Sequence, residues 1–108
     1  MKDHDCPVKK GLQIFAGKWN TRVLYELIVS PTMRFGELRK AIPNISNTML
    51  AATLRELEEK GLVHRKQFNE IPPHVEYSLT ESGKGFIPIF DAIGNWSEKY
   101  SKGVLADE

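Results

Sequence analysis

The sequence has little of what secreted, membrane-embedded or catalytic proteins are built on. Its 108 residues contain one cysteine, Cys6, which excludes an intramolecular disulfide and a zinc site made of cysteines. No apolar run approaches the ~18 residues that a membrane span requires, and the stretch Met1 to Lys10 is too polar for a secretory signal peptide. The cytoplasm is the expected compartment, with no membrane partner. Glycine and proline are modest, at eight and six, and they form no linker, low-complexity stretch or repeat. One domain over residues 1–108 is therefore expected. Excess charge is missing too: fifteen Lys and Arg stand against fourteen Asp and Glu, a net of +1. That is not the strongly basic balance by which many nucleic-acid binders announce themselves. The chain also lacks a glycine-rich phosphate loop, a His-Glu-x-x-His pair and a serine elbow. No enzymatic activity and no cofactor are expected. His4, Cys6, His64 and His74 can be drawn together as zinc ligands, but their spacing follows no zinc pattern, so no metal site is expected.

What is present is an ordinary globular composition, 41% hydrophobic and 27% charged. A chain of this length buries roughly 65% of its unfolded surface, enough for a core without covalent staples. The charge is unevenly spread. Residues 1–45 hold eight basic and four acidic side chains, whereas residues 80–108 hold three and five. The front of the chain is thus the part suited to face a polyanion.

Periodicity predicts a mainly α chain with a small β-hairpin. A first helix runs from Pro7 to Ala16, with proline in its first turn, Val8, Leu12 and Phe15 on one face, and Gly17 as its stop. A second runs from Lys18 to Val29, carrying Trp19, Val23, Leu24, Leu27 and Ile28 as an apolar stripe ended by Ser30-Pro31. A short helix follows over 34–41. After the turn at Asn44-Ile45, Ser46 is placed to cap a longer helix to Lys60, with Gly61 just beyond its end. Leu50, Leu54 and Leu57 face the core there, leaving Thr48, Ala52, Arg55 and Glu59 outside and Ala51 on the flank. The period then changes to two. Val63–Phe68 and Val75–Leu79 read as strands around a loop containing Ile71-Pro72-Pro73. Thr80 caps a last helix to about Ser101, kinked at Pro88.

A short helix, a turn and a longer helix over 34–60, followed by a hairpin over 63–79, is the layout of a winged helix-turn-helix. The DNA major groove is about 12 Å wide and admits one helix, whose outer N-terminal residues reach base edges. Thr48 and Arg55 offer hydrogen-bonding groups there, while Ala51 and Ala52 permit close approach and contact with a thymine methyl. Ser46 and Asn47, at the positive end of the helix, suit a phosphate. Arg34 and the wing residues Arg65 and Lys66 supply further backbone contacts. An alternative for Arg55 is a surface ion pair with its glutamate neighbours Glu58 and Glu59. Glu70 in the wing loop counts against DNA contact. A winged helix used only to bind proteins is the rival function. It calls for an apolar outer helix face, which Thr48, Ala52 and Arg55 do not make.

Several runs together resemble the HxlR-type regulators of bacteria, which are related to MarR-type regulators. They are Cys6-Pro7, Gly17-Lys18-Trp19, Arg34-Phe35-Gly36-Glu37-Leu38, Ile45-Ser46-Asn47-Thr48-Met49-Leu50, Leu54 through Val63, Val75 through Thr80, and Trp96. The resemblance spans about residues 6–100. It implies a transcriptional regulator that binds double-stranded DNA and is dimeric through its first and last helices, about 6–17 and 80–101. It also implies responses to oxidants, electrophiles or small aromatic molecules. The last helix supports a homodimer independently, because Phe86, Ile89, Phe90, Ile93, Trp96 and Tyr100 form more apolar face than Leu12, Phe15 and Trp19 can cover. A twofold partner covers the excess and places two recognition helices one DNA turn apart, about 34 Å, on a pseudo-palindromic operator. The alternative is that all six fill the chain's own core. Cys6 reads either as a small buried hydrophobe or, as the resemblance implies for some members, as a redox sensor. Lys9, Lys10 and the positive end of the first helix surround it with the charge that favours thiol chemistry. With no second cysteine, its oxidation ends in a sulfenic acid, a mixed disulfide or a bridge between two chains.

Overall fold

A computed structural model describes residues 6–101. The ends of the expected domain, 1–5 and 102–108, and with them His4, lie outside the described residues.

The first helix, α1, spans Pro7–Ala16 as the proline and Gly17 dictate. The second, α2, spans Asn20–Val29. It starts two residues later than expected, because Lys18 and Trp19 form the turn that separates it from α1. Strand β1 (Met33–Arg34) and helix α3 (Phe35–Ala41) follow, then α4 (Asn47–Glu59), β2 (Val63–Phe68) and β3 (His74–Leu79). The Ser46 hydroxyl accepts the Met49 N–H at 3.1 Å and so caps α4. Gly61 ends the helix region in the left-handed conformation, at φ 75°, which glycine enters without penalty.

The hairpin is part of a three-stranded antiparallel sheet in the order β1-β3-β2. Met33 pairs with Tyr77 and Arg34 with Glu76, while Val63 to Phe68 pair with Leu79 to His74 in register. The edge strand β1 was not expected, since two residues carry no alternation. The last helix is also corrected: it is broken, not kinked. Thr80 caps a short α5 (Glu81–Lys84), and α6 (Ile87–Tyr100) starts anew. Pro88 has no N–H for the Lys84 carbonyl and would clash with it, so the helix stops there and the proline serves in the first turn of α6. Gly83 and Gly85 lower the cost of the break. Gly83 also lets α5 settle on the start of the wing, where a Cβ would lie 2.2 Å from the Leu62 carbonyl oxygen.

The core lies wholly between Val23 and Leu79. Val23, Leu24 and Leu27 of α2 meet Leu38 and Ile42 from α3, Leu50, Leu54 and Leu57 from α4, and Leu62, Val63 and Leu79 from the sheet. Neither α1 nor α6 buries a single residue. The radius of gyration is 15.5 Å, against about 13 Å for a compact domain of about 100 residues. The shape is a compact winged head with two helical arms. No helix among the described residues is long and apolar enough to cross a membrane.

Candidate nucleic-acid interface

Helix α4 turns Leu50, Leu54 and Leu57 into the core and leaves Asn47, Thr48, Ala52 and Arg55 exposed. Ala51 is half-buried on the flank facing the wing. There it joins Leu54, Arg55 and Glu58 of α4 with Arg65 and Tyr77 of the sheet around a cleft of about 410 Å³. Arg55 and Arg65 are thus brought to one cleft from two elements. Among the described residues neither guanidinium has an ion-pair partner, so the pair expected as an alternative for Arg55 with Glu58 or Glu59 is not formed. Two guanidinium groups against the single carboxylate of Glu58 leave the cleft with an excess of positive charge, which favours an anionic or acceptor-rich ligand.

The other wing residues are ordered by their own contacts. Lys66 pairs across the sheet with Glu76, and its ammonium lies 4.9 Å from the Phe68 ring centre. Phe68 stacks on His74 at 4.5 Å, and His74 sits 3.2 Å from Glu76 and 3.8 Å from Glu70. The Glu70 carboxylate thus lies beside an imidazole at the loop. Ile71 at the tip is fully exposed. Arg34 is exposed in β1, and its backbone N–H donates to Glu37 Oε1 at 2.8 Å, closing the first turn of α3. Ser46 and Asn47 sit at the start of α4, although the Ser46 lone pair is already engaged in the cap. His64, opposite Ser78 on β2, and Cys6, at the start of α1, lie on separate elements from the His74 cluster. Among the described residues no group of three or more His, Cys, Asp or Glu side chains is arranged to hold a metal ion.

Two residues that position this surface, Asn20 and Arg22, escaped the sequence reading. Asn20, 3% exposed, donates from Nδ2 to Glu56 Oε2 of α4 at 2.6 Å. This hydrogen bond, aided by the Lys60 ammonium at 3.5 Å and opposed by partial burial, holds the Glu56 carboxyl below its usual pKa. Arg22 binds Glu26 at 2.9 Å and donates to the Ala41 carbonyl at 3.1 Å, which fastens α2 to the end of α3. The signal for Asn20 was available: it stands three and four residues before Val23 and Leu24, on the same inward stripe.

The profile described as HxlR-like helix-turn-helix matches residues 14–104. The chain belongs to the HxlR-like family. It is therefore a helix-turn-helix transcriptional regulator, in a family of regulators and not of enzymes. It is 43% identical over 107 residues to the HTH-type transcriptional regulator YkvN of Bacillus subtilis, covering 99% of this chain and 90% of that one. Among solved structures, a MarR-family regulator from Porphyromonas gingivalis W83 superposes with a TM-score of 0.83 at 44% identity, covering 93% of this chain and 97% of that one. The redox regulator HypR in its oxidised form gives 0.79 at 40% identity, with 95% and 100% covered. In HxlR-like terms α2 to β3 form the winged head.

The arms of this HxlR-like chain carry the apolar surface read as a dimer face. Leu12, Ile89, Ile93, Trp96 and Tyr100 are exposed, Trp96 and Tyr100 by half or more. Phe15 is at the margin, about one-third exposed and packed at a tilt on Phe86, 6.1 Å between centres. Phe86 and Phe90 differ from the expectation. They turn inward, in contact with each other and, for Phe90, with Tyr25, because the break before α6 lays its first turn over the head. Cys6 caps α1 by its backbone, its carbonyl accepting the Lys10 N–H, and its side chain is half-buried.

Proposed function

We propose that the protein acts in the cytoplasm as a homodimer that binds a pseudo-palindromic operator in double-stranded DNA. The single observation that carries this is the meeting of Arg55 from the recognition helix and Arg65 from the wing at one cleft without ion-pair partners. Thr48, Ala52 and Arg55 would read base edges, with Ala51 meeting a thymine methyl, while Arg34, Ser46, Asn47, Arg65 and Lys66 would hold phosphates. The polar and small outer face of α4 favours DNA over a protein ligand. The exposed faces of α1 and α6 support the dimer, since contiguous apolar surface of this kind marks an association site. Two protomers joined there would set their recognition helices about one DNA turn apart.

The test is fluorescence anisotropy with DNA flanking the gene of this protein, titrated at two salt concentrations beside random DNA. Specific binding at two chains per site, surviving the higher salt, is the expected result. Equal, weak binding to both DNAs would instead favour the protein-binding reading. A second reading, that an oxidant or electrophile releases the DNA through Cys6, is favoured by the likeness to HypR, which is a redox regulator. In the same assay diamide should release the wild-type protein and leave Cys6→Ser bound; release of both would place the response elsewhere.

A further inference from the structure

The chain turns a corner at Gly17-Lys18-Trp19, where the arm α1 meets the head. Around that corner, packing against α4 is incomplete: Gly17, Lys18, Trp19 and Asn20 face Met49, Ala52, Thr53 and Glu56 across a cleft of about 270 Å³. Thr53 does not bridge it, because its hydroxyl donates to the Met49 carbonyl of its own helix at 2.8 Å. The bond from buried Asn20 to Glu56 does.

We infer that Asn20 is a positioning residue for the recognition helix, and that its hydrogen bond to Glu56 sets the angle at which α4 is held on the α1–α2 corner. The contacts of Leu50, Leu54 and Leu57 are apolar and non-directional, so they hold α4 in the core through close packing and add no directional constraint of their own on its angle. A short hydrogen bond to a carboxylate is directional and strong. Glu56 follows Arg55 in sequence and stands one turn beyond Ala52, so a change of angle there moves the base-reading side chains. An apolar residue would fill the Asn20 position without desolvating an amide; the amide adds a defined geometry. Gly17 is matched to it. A Cβ at Gly17 would lie 2.4 Å from Asn20 Nδ2, so the bond depends on a glycine at the end of α1. The arm that carries the dimer face is thereby connected to the helix that carries the DNA face. The consequence for DNA rests on the function proposed above; the geometric claim does not.

The experiment has two arms. For the first, spin labels at Gln13→Cys of α1 and Glu59→Cys of α4, in a Cys6→Ser background and diluted with unlabelled protein, report the α1–α4 distance distribution by pulsed EPR. Asn20→Ala should broaden it about twofold, and Gly17→Ala, which leaves both partners in place but displaces the amide, should do the same. Glu56→Gln, which still offers an oxygen to Asn20, should keep it narrow. A narrow distribution in both Asn20→Ala and Gly17→Ala, or equal broadening in Glu56→Gln, overturns the inference. For the second arm, inserting one base pair between operator half-sites should weaken wild-type binding by about tenfold or more. Gly17→Ala should lose most of that discrimination while still melting cooperatively as a folded protein; undiminished discrimination overturns the inference. A wild-type protein indifferent to the insertion would sink the dimer-on-operator reading alone, and the EPR arm would still decide the role of Asn20.

Discussion

Arg55 and Glu56 are neighbours with opposite duties. Arg55 lines a cleft it shares with Glu58 without forming an ion pair, and in the proposed function its guanidinium would fork onto a guanine edge. Arg55→Ala should lower affinity for the operator by ~1–3 kcal/mol and leave affinity for random DNA nearly unchanged. Equal losses on both DNAs would reassign the side chain to a phosphate. Glu56 faces sideways to Asn20 and Lys60. Because its folded pKa lies below the ordinary 4.5, its ionised form stabilises the fold at pH above about 4.5, and that contribution fades as pH falls through the folded value. The stability difference between wild type and Glu56→Gln, followed by urea denaturation, should therefore be largest near neutrality and shrink toward pH 3. A difference independent of pH would mean that the hydrogen bond contributes without the charge.

Among the elements, those with long periodic faces were legible in the sequence. The ends of α1, the Ser46 cap of α4, the Gly61 stop and the limits of β2 follow from residue types whose backbone preferences are strong. What the sequence concealed depends on tertiary contact. Strand β1 exists because β3 offers an edge to Met33 and Arg34, and two residues cannot display a period. Continuous apolar spacing from Phe86 to Tyr100 masked the break before α6, though Pro88 forbids the bond that continuity requires. At the candidate DNA face, the exposed residues of α4 were legible from angular position alone. That Arg55 and Arg65 line one cleft was not, since it depends on how the wing folds back. Gly83 shows the same dependence. In an open helix Gly→Ala gains about 1 kcal/mol, but here the added carbon meets the Leu62 carbonyl. Gly83→Ala should lower stability by ~1–3 kcal/mol through overpacking, read as a lower urea midpoint with an unchanged slope. A raised midpoint would show that α5 moves freely off the wing.

At the scale of the whole molecule, apolar side chains are divided between two destinations. Those of α2 to β3 close a core within the head, and most of those of α1 and α6 remain on the surface, with Ile14 and Phe90 packed against the head. Ile93→Asp, in the middle of the α6 face, should convert a dimer to a monomer in sedimentation velocity while the near-UV signal of the head persists. It should also abolish two-chain occupancy of an operator. A dimer that survives the aspartate would move the interface off α6, and global unfolding would mean that the arm is integral to the head. The absence of any buried residue in the arms carries a longer consequence. Substitutions on the exposed faces of α1 and α6, away from Ile14 and Phe90, are released from the constraint of keeping the head folded, so lineages of this fold can drift toward new pairing geometries and new chemical triggers while the recognition helix and wing stay intact. Innovation and preservation are assigned to different stretches of one short chain.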